Sequence, residues 1–396
     1  MEMKNRITII NFSTVLTQED AINGENSTQK GALINYLMSR FPNISIDIIG
    51  LNTNFLFNVE YYRECKSIKL PNKTIPIFSS VLFNFTSFLY VFLKPKPSII
   101  YIYSSSESLP YIGALIYAKL FKIPFFFNIR NPPESLCSFE DLTFIKKLIV
   151  KILDEMILKF SDKIIHISEK SKDLLKYYPR LYSKSIVMGS CPNNIFLESD
   201  RKNIIGNNEL VFAYWGIMER TRNLDIIIKG FMKAKKLNDQ FEAKFYLFGG
   251  GEDLDRLKEL VKKLKTPDII FGGYVGQEEL YKFLHNISGA VVPIPPKEIY
   301  QYSSPLKLAE AVAIELPMIA SNIEPNKIVE EHKLGILCEH DVDSYAQAFL
   351  KFCDFSDYEL NEFRENCKKI KYLFTPENVF REVREAIVHE MQPRRR

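Results

Sequence analysis

SSPLKLAEAVAIELPMIASN, residues Ser303–Asn322, is the stretch from which the rest of the sequence can be organised. Two hydroxyl residues followed by Pro305 have the composition of a helix start, with serine caps and proline in the first turn. The helical period predicts a helix to about Glu315 and an apolar strand from Met318 to Ser321. A helix start aimed into a cleft suits phosphate, because its N–H groups are free and its dipole end is positive. Lys307 lies in the first turn, where the dipole disfavours a cation unless an anion faces it. Glu310 follows three residues on, on the same face. A carboxylate there can accept hydrogen bonds from two vicinal ribose hydroxyls. The plain alternative is a capped surface helix with an ordinary lysine and glutamate, and local physics leaves both open.

Outward from this stretch, short apolar, β-branched runs alternate with helical patterns along most of the 396 residues. The first half offers strands at Ile7–Phe12, Ile44–Leu51, Ile99–Ser104, Phe125–Ile129, Ile164–Ile167 and Ser185–Met188. Helical patterns such as Ser27–Phe41 and Tyr111–Phe121 lie between them. Pro192–Gly206 is polar and turn-rich, without helical or strand period, and marks a linker. The alternation restarts with Leu210–Trp215, Lys244–Phe248, Ile269–Phe271, Gly289–Pro293, Met318–Ser321 and Gly335–Cys338. Strands that are apolar nearly throughout and alternate with helices predict parallel sheets covered on both faces, hence α/β, doubly wound, Rossmann-like domains. The length suits two of them. The expected layout is an N-terminal domain over 1–196, a linker over 197–209 and a C-terminal domain over 210–375. A final helix and basic tail over 376–396 is expected to pack back toward the N-terminal domain. Two such domains in tandem place a cleft between the carboxyl ends of two sheets, where open α/β sheets bind ligands.

Composition excludes several classes. With 46% hydrophobic and 25% charged residues the chain is neither disordered nor fibrous. Its six cysteines are scattered, with no Cys-x-x-Cys pair, which argues against a zinc site or a disulfide framework and fits a reducing cytoplasm. Met1–Arg6 runs directly into an apolar segment too short for a secretory leader. Charge is uneven: residues 1–196 sum to +7 and the remainder to −3. A basic half suits an anionic partner such as a membrane surface, or is simply a soluble domain with extra lysines. No recognised nucleic-acid motif is present. Ile75–Leu93 holds 19 residues without a charge; serines, asparagine and proline dilute it, so it reads first as a buried or surface-docked crossover helix, with membrane contact the alternative. Thr143–Phe160 reads as a basic amphipathic helix, suited either to a core or to an anionic bilayer. Asp341-Val342-Asp343 reads as a helix cap rather than a metal site. His166 lies within a strand and reads as a core residue.

Pro305-x-Lys307-x-x-Glu310, a short helix, Leu316-Pro317 and an apolar strand together resemble the donor-binding region of family 4 glycosyltransferases. More narrowly they resemble bacterial surface-polysaccharide transferases of the fucosamine-transferase type. The resemblance implies a GT-B fold, with Glu310 on the donor ribose and Ser303, Ser304, Pro305 and Leu306 at the diphosphate. Many members carry a second glutamate where this chain has Tyr302. WGIMERTRNLDIIIKGF, Trp215–Phe231, resembles the strand-loop-helix whose loop brings cations to the donor phosphates. Arg222 matches the lysine of that pair. Ile217 stands beside Gly216 where arginine is usual, and Arg220 is the candidate substitute. Fixed cations there would stabilise the charge of a departing nucleoside diphosphate.

FGGGEDLDRLKEL, Phe248–Leu260, matches the family's next strand-turn-helix and makes Gly250 a candidate contact. IIFGGYVGQEELYKFL resembles the segment whose backbone reads the nucleobase, at Gly273, Tyr274 and Val275. FFFNIRNPPESL, Phe125–Leu136, resembles the strand-end loop on the acceptor side, where Arg130 and Glu134 match and Asn131 replaces an aspartate. The opening loop, Ser13–Ser27, keeps only Gly24 of the usual glycines and carries no assigned role. The resemblance implies retaining transfer from a UDP-sugar, with no metal or other cofactor, to a lipid-linked or oligosaccharide acceptor at the inner face of a bacterial membrane. An epimerase or hydrolase on the same fold, and a non-catalytic subunit that binds sugar nucleotide, stay open as alternatives.

Overall fold

Fourteen described strands are shared between two sheets in this computed structural model. The structure describes residues 5–14, 28–41, 44–51, 59–62, 65–70, 84–104 except 86, 90 and 94, 108–130, 144–198 and 210–392. The chain divides into two compact units. Unit 1 comprises Met1–Gly189, Tyr302–Ser304 and Val379–Arg396; unit 2 comprises Ser190–Gln301 and Pro305–Asn378.

In unit 1 the strands are β1 (Asn5–Thr14), β2 (Ile44–Leu51), β3 (Val59–Tyr62), β4 (Cys65–Leu70), β5 (Ile99–Ser104), β6 (Phe125–Ile129), β7 (Lys163–His166) and β8 (Ser185–Val187). Their order is β3-β4-β2-β1-β5-β6-β7-β8, parallel except for the antiparallel pair β3–β4. Every residue of β5 and β6 is buried, as expected for strands covered on both faces. The crossovers are α1 (Thr28–Arg40), α2 (Ile112–Leu120) and α3 (Phe144–Phe160). Because β5, β6 and β7 step in one direction, right-handed crossovers place α2 and α3 on the same face. Residues 84–85, 87–89 and 91–93 are helical and join that layer. Asn84 Nδ2 donates to the Leu109 carbonyl at 3.0 Å, and Phe88 meets Tyr117 edge-on at 6.0 Å. The helix Arg381–Met391 also belongs to unit 1. Glu382 Oε2 accepts from the Val187 amide at 2.8 Å, and Phe380 lies 5.3 Å from Tyr36.

Unit 2 has β9 (Leu210–Trp215), β10 (Ala243–Phe248), β11 (Ile269–Gly273), β12 (Gly289–Val292), β13 (Met318–Ser321) and β14 (Gly335–Cys338). They are all parallel, in the order β11-β10-β9-β12-β13-β14. The connecting helices are α4 (Leu224–Leu237), α5 (Leu254–Leu264), α6 (Gln277–Leu284), α7 (Leu306–Ala313), α8 (Val342–Cys353) and α9 (Asp357–Ile370). One face of the sheet is closed by an aromatic cluster in which Phe231, Phe245 and Phe212 gather round Phe349. Asp341 caps α8, its side chain accepting from the amides of Asp343 and Ser344.

Three expectations change. The hairpin β3–β4 has no counterpart among the sequence-predicted strands, because Glu60, Lys66 and Lys69 interrupt the apolar run. The segment read as a linker without period contains a short helix, Asn194–Leu197, capped by Asn193. Its Phe196 is fully buried against Tyr281, 5.9 Å away, so this stretch is part of unit 2's core. Residues 199–209 lie outside the described residues, as do 15–27, 75–83 and 131–143. Finally, Ser303 and Ser304 do not cap α7. Pro305, extended at φ −70° and ψ 114°, occupies the cap position without a side-chain bond, and α7 ends at Ala313 rather than Glu315.

Candidate functional site

The unit 2 sheet changes winding direction between β9 and β12, and open parallel sheets bind ligands at the carboxyl ends of such neighbours. The carboxyl end of β9 alternates its side chains between two faces: Tyr214 joins the aromatic cluster, while Trp215 packs against α7. The next residue, Gly216, has φ +136°, a conformation that favours glycine. Its missing side chain leaves room for Lys307, since a Cβ there would lie 2.6 Å from Nζ. The ammonium also sits 4.8 Å from the centroid of the Tyr214 ring, whose hydroxyl donates to the Ile217 carbonyl at 2.6 Å. Lys307 is thus held over the strand end by α7 below and an aromatic face beside it.

Glu310 lies one turn further along α7 and is only 3% exposed. Its Oε2 accepts from Trp215 Nε1 at 2.6 Å. Burial pushes this carboxyl up to about 7, against the opposing pull of the Trp215 hydrogen bond and of Lys307. Burial, reinforced by the Arg222 charge, draws the Lys307 ammonium down to about 8. Two groups with such displaced titrations, one turn apart at a strand end, make Lys307 and Glu310 the candidate pair of unit 2.

Arg222 arrives from the loop after β9, at the end of the short 3-10 turn Arg220–Arg222. Its guanidinium lies 5.0 Å over the Tyr300 ring, and its buried Nε has no hydrogen-bond partner. Tyr300 comes from the loop after β12, so both switch-point strands contribute. The adjacent strand ends are tied together: Gly216 N donates to the Phe248 carbonyl at 3.0 Å and Gly249 N to the Gly273 carbonyl at 2.7 Å. Gly249, rather than Gly250, is the glycine that this geometry demands. A Cβ on it would lie 2.1 Å from the Gly216 carbonyl oxygen, whereas one on Gly250 would meet nothing within 4 Å.

The structure therefore brings Gly216, Arg222, Lys307 and Glu310 together in unit 2, with Pro305 and Leu306 opening α7. Arg220 points elsewhere: its side chain is 75% exposed and 3.9 Å from Asp253. Gly250 and Gly273 lie at the neighbouring strand ends, Tyr274 is exposed, and Val275 is partly buried against the core. Ser303 and Ser304 group with unit 1. Arg130, also in unit 1, hydrogen-bonds Tyr103 and lies 5.4 Å over its ring. Asn131 and Glu134 fall outside the described residues. His166 is buried between Ser171 and Ser185, each 3.2 Å away, and burial holds it at about 3, so it stays neutral. Trp215, Tyr214 and Tyr300 were not picked out from the sequence. For Tyr214 and Trp215 the local signal is an aromatic pair ending a strand just before a glycine; Tyr300 offers none.

Residues 209–354 match the family described as glycosyl transferases group 1. No curated protein matches the chain. Among solved structures, a glycosyltransferase from Rickettsia africae superposes with a TM-score of 0.71 at 12% identity, covering 98% of this chain and 99% of that one. The lipopolysaccharide outer core galactosyltransferase WaaB gives 0.65 at 13% identity, with 98% and 100% covered. Anabaena HepE in complex with UDP and glucose gives 0.64 at 12% identity, with 96% and 99% covered. At these identities the likeness establishes the fold: α/β, with two doubly wound units of the GT-B class. Unit 2 carries a glycosyltransferase group 1 domain.

Proposed function

We propose that this chain is a retaining glycosyltransferase of family 4 that moves a sugar from a UDP-sugar to a lipid-linked or oligosaccharide acceptor in bacterial surface-polysaccharide synthesis. The observation that carries the reading is the Lys307 ammonium seated over Gly216 at the carboxyl end of β9, one turn before a buried Glu310. In the reaction the anomeric C–O bond to the diphosphate breaks and the acceptor oxygen bonds to that carbon. The acceptor's proton leaves with the nucleoside diphosphate or to solvent. Lys307 and Arg222 stabilise the charge that develops on the diphosphate, and Glu310 accepts from the ribose hydroxyls. These cations take the part that a metal plays in other transferases, so transfer is expected to persist in EDTA. The UDP bound to HepE and the galactosyl transfer named for WaaB support the choice of donor and pathway. We further propose that Arg130, with Asn131 and Glu134, serves the acceptor, and that the protein works on the cytoplasmic face of the membrane through peripheral contact with anionic lipid.

The test is a transfer and hydrolysis assay with a panel of UDP-sugars, alongside Lys307→Ala and Glu310→Ala. Transfer by the wild type and its loss in both variants is expected. Unchanged transfer in the variants removes the site assignment. Release of an epimerised sugar nucleotide without acceptor, or tight UDP binding with no turnover on any acceptor, overturns the reading.

A further inference from the structure

We propose that the outer face of unit 1's helical layer docks on an anionic lipid bilayer, with a cavity beside α3 receiving the headgroup phosphate. This deepens the membrane contact proposed above, and its evidence is independent of the donor site. Three adjacent helical segments each expose large apolar side chains outward. Phe85 and Leu93 do so from the segment spanning 84–93, Ile116 and Leu120 from α2, and Leu148 and Ile152 from α3; every one is at least 50% exposed. Exposed large apolar side chains gathered on one helical layer are the kind of feature that marks an interaction surface.

Charge selects the occupant. Lys96, Lys119, Lys122, Lys151 and Lys159 are exposed on or beside the same segments. Among the described residues there, the exposed acids are Glu155 and Asp162, and Asp162 is held by Lys119 at 2.9 Å. Apolar side chains spread over a helical layer and ringed by lysines suit a fluid anionic surface, into which the lysine stems extend while their ammonium groups reach the headgroups.

The charged half of α3 carries the second observation. A cavity of about 740 Å³ lies between Lys151–Lys159 and the segment Tyr177–Leu181. Lys151, Lys159 and Arg180 line it against the single carboxylate of Glu155, and its mouth holds Tyr177 and Tyr178, which are 80% and 53% exposed. Three cations to one acid suit a phosphate, and amphipathic tyrosines suit the boundary between water and hydrocarbon. Among the described residues no helix is long and apolar enough to cross a membrane.

Flotation of the full chain with phosphatidylcholine vesicles, with and without phosphatidylglycerol, tests this. Binding is expected on the anionic vesicles and should weaken as salt rises. Leu120→Ser with Ile152→Ser should cut vesicle affinity by about tenfold per side chain, with melting and UDP binding unchanged. Lys151→Ala with Arg180→Ala should weaken binding to anionic vesicles and leave the small neutral-vesicle fraction unaffected. Absence of vesicle binding, or equal binding by the serine variant, overturns the proposal. So does a dimer of the wild type that the serine variant abolishes, since the face would then join two copies of the chain. None of these readouts requires transfer, so a failed donor-site reading and a failed docking face remain separate results.

Discussion

Replacing Glu310 with glutamine should make unit 2 more stable at neutral pH and leave it nearly unchanged in acid. Burial moves this carboxyl from an ordinary 4.5 to about 7. Because the folded-state value is raised, the stabilising contribution is complete below 4.5 and is lost as pH rises through 7. At about 1.4 kcal/mol per pH unit, the folded chain gives up on the order of 3 kcal/mol across that window. Glutamine does not ionise, yet its amide oxygen can still accept from Trp215 Nε1. Lys307 titrates near 8, above the window, so the difference between variant and wild type isolates the carboxyl. Trp215 is the chain's one tryptophan and lies beside residue 310, so its fluorescence reports on the unfolding of unit 2 itself. Urea titrations at several pH values between 4.5 and 8 should show the variant gaining about 3 kcal/mol on the wild type. In thermal melts this corresponds to a gap that opens by roughly 6–12 °C. A difference that stays constant within about 1 kcal/mol across the range would refute the burial on which the site rests.

Other outcomes follow from the same geometry. Donor binding should weaken as pH rises above 8, because Lys307 then loses the charge that faces the diphosphate; an apparent donor KM measured from pH 7 to 10 checks this. Gly216→Ala must adopt φ near +136° and displace Lys307 Nζ, so it should cost about 1–3 kcal/mol of stability and at least about a hundredfold in kcat/KM, read by urea titration and transfer assay. Asp341→Ala removes the cap of α8 and should cost about 1 kcal/mol in the same titration, while Asp341→Asn should be close to neutral.

The parts of the fold that could be read from sequence are those whose residues satisfy one simple environment. β5 and β6 are buried on both faces, and IIYIYS and FFFNI are correspondingly apolar. β2 was also legible, although it contains Asp47, whose charge is met by Arg6, a partner 41 residues away that no local pattern reveals. β3 and its neighbour β4 were not legible because VEYY and CKSIKL are short and carry charged residues, which breaks the apolar run. At the site, Lys307, Glu310, Gly216 and Arg222 stood out by residue type and order. Their supports did not: the Trp215–Glu310 bond joins residues 95 apart, and the Arg222–Tyr300 contact joins two loops after different strands. Ser-Ser-Pro satisfies the composition of a helix start, while the backbone at Pro305 makes proline itself the boundary.

The bond between Glu382 and the Val187 amide has a consequence for biosynthesis. The edge strand β8 finds this partner in a segment that leaves the ribosome only after all of unit 2 has been made. Unit 1, although started earlier, therefore lacks this partner for β8 until residues 379–391 have been made. A chain truncated after Asn378 is expected to show protease-resistant unit 2 beside a still-cleavable unit 1, and the full-length chain to protect both.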